Sequence, residues 1–217
     1  MTSVAETNHP RTAAELLEVS PVIPVVVVDD VEQAVPLAQA LLRGGVGIIE
    51  ITLRTPAGLA AIERVAAEVP GMVTGAGTVT SPAQVHAVQR AGARFLVTPG
   101  SPAGLLSAAL NSGMPLLAGA ATLTEMMTLA EHDLGAMKFF PAQASGGVEF
   151  LKAVSGPLPH LRFCPTGGIT TANAADYLAL PNVGCVGGSW LTPKDAVAAG
   201  DWGRVEQLAR EAAALPR

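Results

Sequence analysis

Cysteine is scarce in this chain of 217 residues: only Cys164 and Cys185 occur, at no metal-binding spacing and too few to frame a disulfide-held fold. They read as two buried thiols in a reducing compartment. Basic blocks are missing as well. Acids outnumber bases 18 to 13, which argues against a nucleic-acid or anionic-membrane surface and leaves small molecules, or copies of the chain itself, as partners. Long apolar runs are also absent. Although 49% of residues are hydrophobic, Gly, Pro or charge breaks every stretch short of the roughly 18 residues that a membrane helix needs. Residues 1–20 carry Glu6, Glu15 and Glu18 and no basic start followed by an apolar run, so no secretory signal is expected and a cytoplasmic location follows.

What the chain does have is rhythm. Short β-branched or apolar runs alternate with Ala/Leu-rich segments of helical period, roughly every two dozen residues, as βα units do. Eight runs stand out, at residues 22–28, 47–52, 72–75, 94–98, 114–118, 136–140, 162–166 and 184–187. Helices are predicted between them at 33–43, 58–68, 82–91, 102–111, 123–132, 148–154 and 172–180, with Asp30, Thr55, Ser81, Ser101 and Thr122 placed as N-caps. Near-continuous apolar strands joined by helical crossovers point to an all-parallel sheet. Eight such units in 217 residues predict one α/β domain, residues 1–217, closed into a (β/α)8 TIM barrel. A helix at 13–17 would cap the barrel's bottom, and one at 205–215 would close it. The alternative is an open doubly wound sheet, but its dinucleotide signature fails, since Thr80 stands where a third Gly should follow Gly75 and Gly77. No cofactor is expected.

In a barrel the active site lies at the C-terminal ends of the strands. Two charged residues interrupt those runs. Glu50 lies among Ile48, Ile49 and Ile51, and the period of 2 puts it on the inward face with Ile48 and Thr52; Arg54, at the strand's end, is its expected partner. Lys138 lies among Ala136, Met137, Phe139 and Phe140 and shares the inward face with Phe140. Desolvation there would favour the neutral amine, which can attack a ketone and form an iminium, an electron sink for carbon–carbon cleavage. Glu50 could then carry protons. The pair also reads as a buried ion pair that only fixes strand register.

A further feature favours chemistry. Thr166, Gly167 and Gly168 end the seventh run, and Gly187, Gly188 and Ser189 end the eighth, where barrels commonly hold phosphate on backbone amides. The plainer reading is two tight turns that need Gly for backbone reasons. No metal is expected. His9, His86, His132 and His160 fall in the tail, on helices or ahead of a strand, away from the strands' C-terminal ends. Cys164, Trp190 and Trp202 read as packing residues, with Trp190 shaping the last loop.

Together the segments 44–55 (GGVGIIEITLRT), 75–78 (GAGT), 138–142 (KFFPA), 162–169 (RFCPTGGI) and 187–191 (GGSWL) closely resemble those of 2-keto-3-deoxy-6-phosphogluconate aldolases, along nearly the whole chain. The resemblance implies a class I aldolase of the Entner–Doudoroff pathway, a homotrimer, that splits the phosphorylated 2-keto-3-deoxy sugar acid into pyruvate and D-glyceraldehyde 3-phosphate. Lys138 matches the Schiff-base lysine and Glu50 the proton-shuttling carboxylate. Arg54, Thr78 and Thr166 match residues that hold the pyruvyl carboxylate, and Phe140 lines the same pocket. Gly167, Gly168, Gly188 and Ser189 match the phosphate site. Two departures are expected to flank the pocket: Ala118, Gly119, Ala120, Ala121 and Thr122 replace the usual Pro-Gly-Ile-Ser/Ala-Thr, a change that would loosen the site or leave more room, and Gln143 stands where Glu is frequent. Rival readings are the same chemistry on the galactonate epimer or on 4-hydroxy-2-oxoglutarate, a phosphosugar isomerase using Glu50 as base without a covalent bond, and a phosphosugar-binding protein.

Overall fold

The apolar runs become strands buried on both faces, as a parallel sheet covered by helices requires. The computed structural model describes residues 10–217; Glu6 and His9 lie outside them. The strands are β1 (Val22–Val26), β2 (Ile48–Thr52), β3 (Val73–Gly77), β4 (Phe95–Val97), β5 (Leu116–Leu117), β6 (Gly119–Ala120), β7 (Ala136–Phe139), β8 (Arg162–Pro165) and β9 (Val186–Gly188). The helices are α1 (Ala13–Val19), α2 (Ala34–Arg43), α3 (Gly58–Glu68), α4 (Pro82–Arg90), α5 (Ala103–Asn111), α6 (Leu123–Ala130), α7 (Gly147–Val154), α8 (Ala174–Leu178), α9 (Lys194–Ala199) and α10 (Trp202–Ala213).

Among the described residues every strand pairing is parallel. One sheet has the order β5-β4-β3-β2-β1-β9 and the other β6-β7-β8. Isolated parallel bridges, Phe163 to Val183 and Thr166 to Gly187, tie β8 and the residue after it to β9 and the segment that leads into it. From β1 to β5 the order runs one way without the reversal that defines a doubly wound sheet.

The fifth predicted run, 114–118, forms only the short β5, and a separate strand, β6, follows after Ala118, for a visible reason. Ser101 Oγ donates to the Gly119 carbonyl (3.0 Å), and the Gly119 amide donates to Thr98 Oγ1 (3.1 Å). Side chains from the end of β4 thus take the backbone groups that a continuous strand would offer to its ladder. Ser101 is therefore no N-cap. α5 begins after Pro102 with no side-chain cap, and the Thr55 hydroxyl likewise donates to the Val28 carbonyl instead of capping α3. The other caps fall as expected. Asp30 caps a short 3-10 turn ahead of α2, Ser81 caps α4, and Thr122 forms a reciprocal capping box with Glu125 at the start of α6. Helix α9 was not foreseen.

At the strands' N-terminal end, α1 buries Leu16 and Leu17 and packs against β7 and β8. Its residues lie where a bottom cap was expected. α10 packs on α2, with Gly44 pressed against Ala209 and an Arg43–Glu206 ion pair at 2.8 Å beside it. Cys164 and Cys185 are both buried free thiols; burial, with Cys164 alongside, pushes the Cys185 thiol well above the usual range.

Candidate active site

Strand register decides which side chains meet inside. Val25, Glu50, Gly75 and Phe95 are cross-strand partners in one row, and Gly119, Lys138 and Cys164 form another. Rows of this kind share a face because side chains alternate along each strand. Large and small residues interlock across them. A methyl group on Gly75 would strike the Phe95 ring, one on Gly77 the Glu50 carboxylate, and one on Gly187 the Thr166 side chain. The Gly-Ala-Gly of β3 is thus spatial: its two glycines make room for an aromatic ring and for a carboxylate.

The Lys138 ammonium lies 3.4 Å from Glu50 Oε1, with both side chains at most 4% exposed. Arg54 does not pair with Glu50, as the sequence suggested. Arg54 stands one turn beyond the end of β2, exposed, and its Nε donates to Thr78 Oγ1 (3.2 Å). Among the described residues no carboxylate lies within salt-bridge distance of the Arg54 guanidinium, so its charge faces the cavity unneutralised. Phe140 completes the lysine's surroundings, its ring centroid 5.2 Å from Nζ, within cation–π range.

A cavity of about 520 Å³ opens over this pair, at the C-terminal ends of the strands. Of the ten residues singled out in the sequence, Arg54, Thr78, Lys138, Phe140, Thr166, Gly167, Gly168 and Ser189 line it. Glu50 sits just below, reached through Lys138. Gly188 lies behind the wall as the seat of Trp190, whose ring stands over its α-carbon, and Gly187 takes the lining position instead. Val25, Pro99 and Ile169 also line the cavity but were not foreseen. They are apolar, and only their places at strand ends could have marked them. The substituted stretch 118–122 does not line the cavity, and Ala118 and Ala120 are buried, so it adds no room at this opening.

Thr78 carries a φ of 57°. A β-branched residue in that left-handed region costs on the order of 1–3 kcal/mol, and such outliers cluster where a side chain must be aimed. Here the strained turn holds the hydroxyl against Arg54 at the cavity wall. On the opposite wall Gly167 and Gly168 have φ of 98° and 78°, open to glycine alone without strain. The helix predicted at 172–180 is shorter, α8 spanning Ala174–Leu178, and Asn173 links it to the turn by accepting from the Thr170 amide and donating to the Gly168 carbonyl. His86, His132 and His160 are exposed and away from the cavity. Among the described residues no cluster of three or more His, Cys, Asp or Glu could hold a metal ion, and no helix is long and apolar enough to cross a membrane.

An amine and a carboxylate lie buried together beneath an opening whose lining includes a guanidinium without a carboxylate partner and the Gly167–Gly168 turn, an arrangement that could receive an anionic carbonyl compound. Comparison with known proteins agrees. The profile described as "Aldolase: KDPG and KHG aldolase" matches residues 13–208. The chain belongs to the KDPG and KHG aldolase family. It is 50% identical to the KHG/KDPG aldolase of Escherichia coli over 205 residues, covering 94% of this chain and 96% of that one. The KDPG aldolase of Legionella pneumophila, whose structure holds pyruvate captured at low pH as a covalent carbinolamine, superposes with a TM-score of 0.92 at 44% identity, over 94% of this chain and 98% of that one. The enzyme from Zymomonas mobilis, crystallised with 3-phosphoglycerate, gives 0.89 at 42% identity, over 95% and 97%. This aldolase-family chain thus shares the parallel α/β architecture of these structures.

Gly77 offers a direct probe of Glu50. In Gly77→Ala the added methyl must displace the carboxylate, and a shift of about 1 Å at a reacting group can cost on the order of 100-fold in rate. Turnover should fall by about that factor, with a stability loss of about 1–3 kcal/mol from overpacking. A normal kcat beside a lowered melting temperature would mean that the position of Glu50 does not matter.

Proposed function

We propose that this chain is a class I aldolase that cleaves 2-dehydro-3-deoxy-6-phosphogluconate into pyruvate and D-glyceraldehyde 3-phosphate through a Schiff base on Lys138. One observation carries the reading: Lys138 is the only primary amine among the described residues lining the cavity, and its partner is a buried carboxylate at 3.4 Å. The amine adds to the C2 ketone and water leaves, giving an iminium. As the C4 hydroxyl gives up its proton, the C3–C4 bond breaks and its electron pair moves into the iminium, leaving an enamine and releasing the triose phosphate. Protonation at C3 and hydrolysis free pyruvate. Glu50, directly or through water, would move these protons. Arg54, Thr78 and Thr166 would hold the carboxylate of the substrate, and Phe140 would pack against its carbon chain. Gly167, Gly168 and Ser189 would hold the phosphate, with Gly188 setting the last turn. The names of the relatives support 4-hydroxy-2-oxoglutarate as a second substrate.

In the same reading the two sheets close into one eight-stranded barrel and a single domain. The bridges from β8 toward β9, and the single residue separating β5 from β6, support that closure.

Incubation with pyruvate and borohydride, followed by peptide mass spectrometry, tests the chemistry, because reduction makes the iminium permanent. The expected result is a single adduct on Lys138. No adduct anywhere would leave the non-covalent isomerase or the binding protein as the better reading.

A further inference from the structure

The Gly167–Gly168 turn is held from behind. The Gly167 carbonyl accepts from the Gln143 amide (3.0 Å) and the Gly168 carbonyl from Asn173 Nδ2 (3.0 Å). In a planar trans peptide the N–H points opposite to the carbonyl, so the amides of Gly168 and Ile169 are turned away from these partners. Neither amide has an acceptor among the described residues, and both residues line the cavity. The aim of these donors is therefore set by what grips the carbonyls.

Gln143 is the central grip. Besides its amide, its Cβ rests against the α-carbon of Gly168, where an added methyl would come within 2.6 Å of it. The backbone next to it is tied to the end of β8, since the Ala142 amide donates to the Thr166 carbonyl (2.8 Å). Gln143 is itself exposed, and its side chain is fixed by one bond: the Tyr177 hydroxyl donates to Oε1 at 2.9 Å. Tyr177, on α8, is 1% exposed. Gly147, at φ 58°, leaves space for that hydroxyl, because a methyl there would stand 3.0 Å from it. A buried phenol beside a glycine that clears its path is a costly arrangement unless the hydroxyl has an acceptor.

We propose that Tyr177 and Gln143 act as the positioning pair of the phosphate site, fixing the Gly167–Gly168 turn so that its free amides face the anion. The inference rests on the aldolase reading above and extends it to two residues outside the cavity lining. Burial also raises the phenol's pKa, so Tyr177 remains a donor across the neutral range.

Three measurements on the full chain test it: KM and kcat for 2-dehydro-3-deoxy-6-phosphogluconate, cleavage of unphosphorylated 4-hydroxy-2-oxoglutarate, and deuterium exchange into the pyruvate methyl group. Tyr177→Phe keeps the packing and removes only the donor, and Gln143→Ala removes the acceptor. Each is expected to raise KM for the phosphorylated substrate by about three- to tenfold, the effect of one hydrogen bond, while kcat, the unphosphorylated reaction and pyruvate exchange stay within about twofold. The double variant should be no worse than either single one, since both break the same bond. Gln143→Glu keeps an acceptor and should stay near the parent value. An unchanged KM in both single variants, a parallel loss of pyruvate exchange, additive effects, or a Glu variant as poor as the Ala variant would each overturn the proposal. If the parent chain neither cleaves nor exchanges, the aldolase reading itself fails first.

Discussion

Replacing Lys138 with Ala is expected to abolish cleavage, lowering turnover by more than about a thousandfold, because among the described residues lining the cavity no other side chain can supply the covalent electron sink. The cavity lining offers no second primary amine to take over, and Arg54 is not nucleophilic at any ordinary pH. The variant also leaves the Glu50 carboxylate buried without its partner. Removing one member of a buried pair typically costs about 3–5 kcal/mol, so the melting temperature should drop even though the fold forms. That loss has its own control. In the double variant Lys138→Ala with Glu50→Gln no charge is left unpaired, so stability should recover in large part while cleavage stays absent. Turnover and thermal unfolding of the three proteins check this together. Normal cleavage by Lys138→Ala would refute the mechanism outright, and inactivity that tracked unfolding alone would reduce the pair to a structural ion pair.

Glu50→Gln separates proton transfer from imine formation. Gln has nearly the same shape and can still accept from Lys138, but it cannot carry a proton at neutral pH. Borohydride trapping of pyruvate on Lys138 should therefore persist. Exchange of the pyruvate methyl protons with solvent should slow by about 100- to 10,000-fold, the range for loss of a positioned acid–base group. Cleavage should fall alongside, because the enamine must be protonated in every turnover. Trapping with exchange at the parent rate would show that another group moves the proton. Loss of both would show that Glu50 is needed to build the site. Gly77→Ala approaches the same carboxylate from outside and should give a weaker form of the same result, since it moves Glu50 without changing its chemistry.

Much of this was legible in order along the chain. The βα rhythm, the caps at Ser81 and Thr122, and the inward turn of Glu50 and Lys138 all follow from local periodicities, which depend only on residues a few positions apart. Helix α3 has its predicted bounds at Gly58–Glu68, because a strong apolar period and a clear break at each end leave little choice. Expectations failed where a local rule had a long-range competitor. Ser101 and Thr55 sit before helices as good caps do, yet their hydroxyls bond to carbonyls 18 and 27 residues away. Position in the sequence says nothing of such an acceptor. Arg54 is four residues from Glu50 in the chain, but Lys138, 88 residues away, is the partner, because the two side chains meet in the interior from strands of different sheets, β2 and β7.

What the sequence by itself determined is the set of reactive groups and the faces they occupy, since residue type and side-chain alternation are local properties. It also carried the resemblance to aldolases, through motifs that are contiguous. Only the tertiary structure decided which groups touch. It paired Lys138 with Glu50, gave Gly75 and Gly77 their meaning as room for Phe95 and Glu50, and set Gly187 rather than Gly188 in the cavity wall. It also brought Tyr177 to Gln143 behind the phosphate turn. Each of these depends on contacts of a few ångströms between segments far apart in the chain, and those contacts are fixed only when all the strands pack at once.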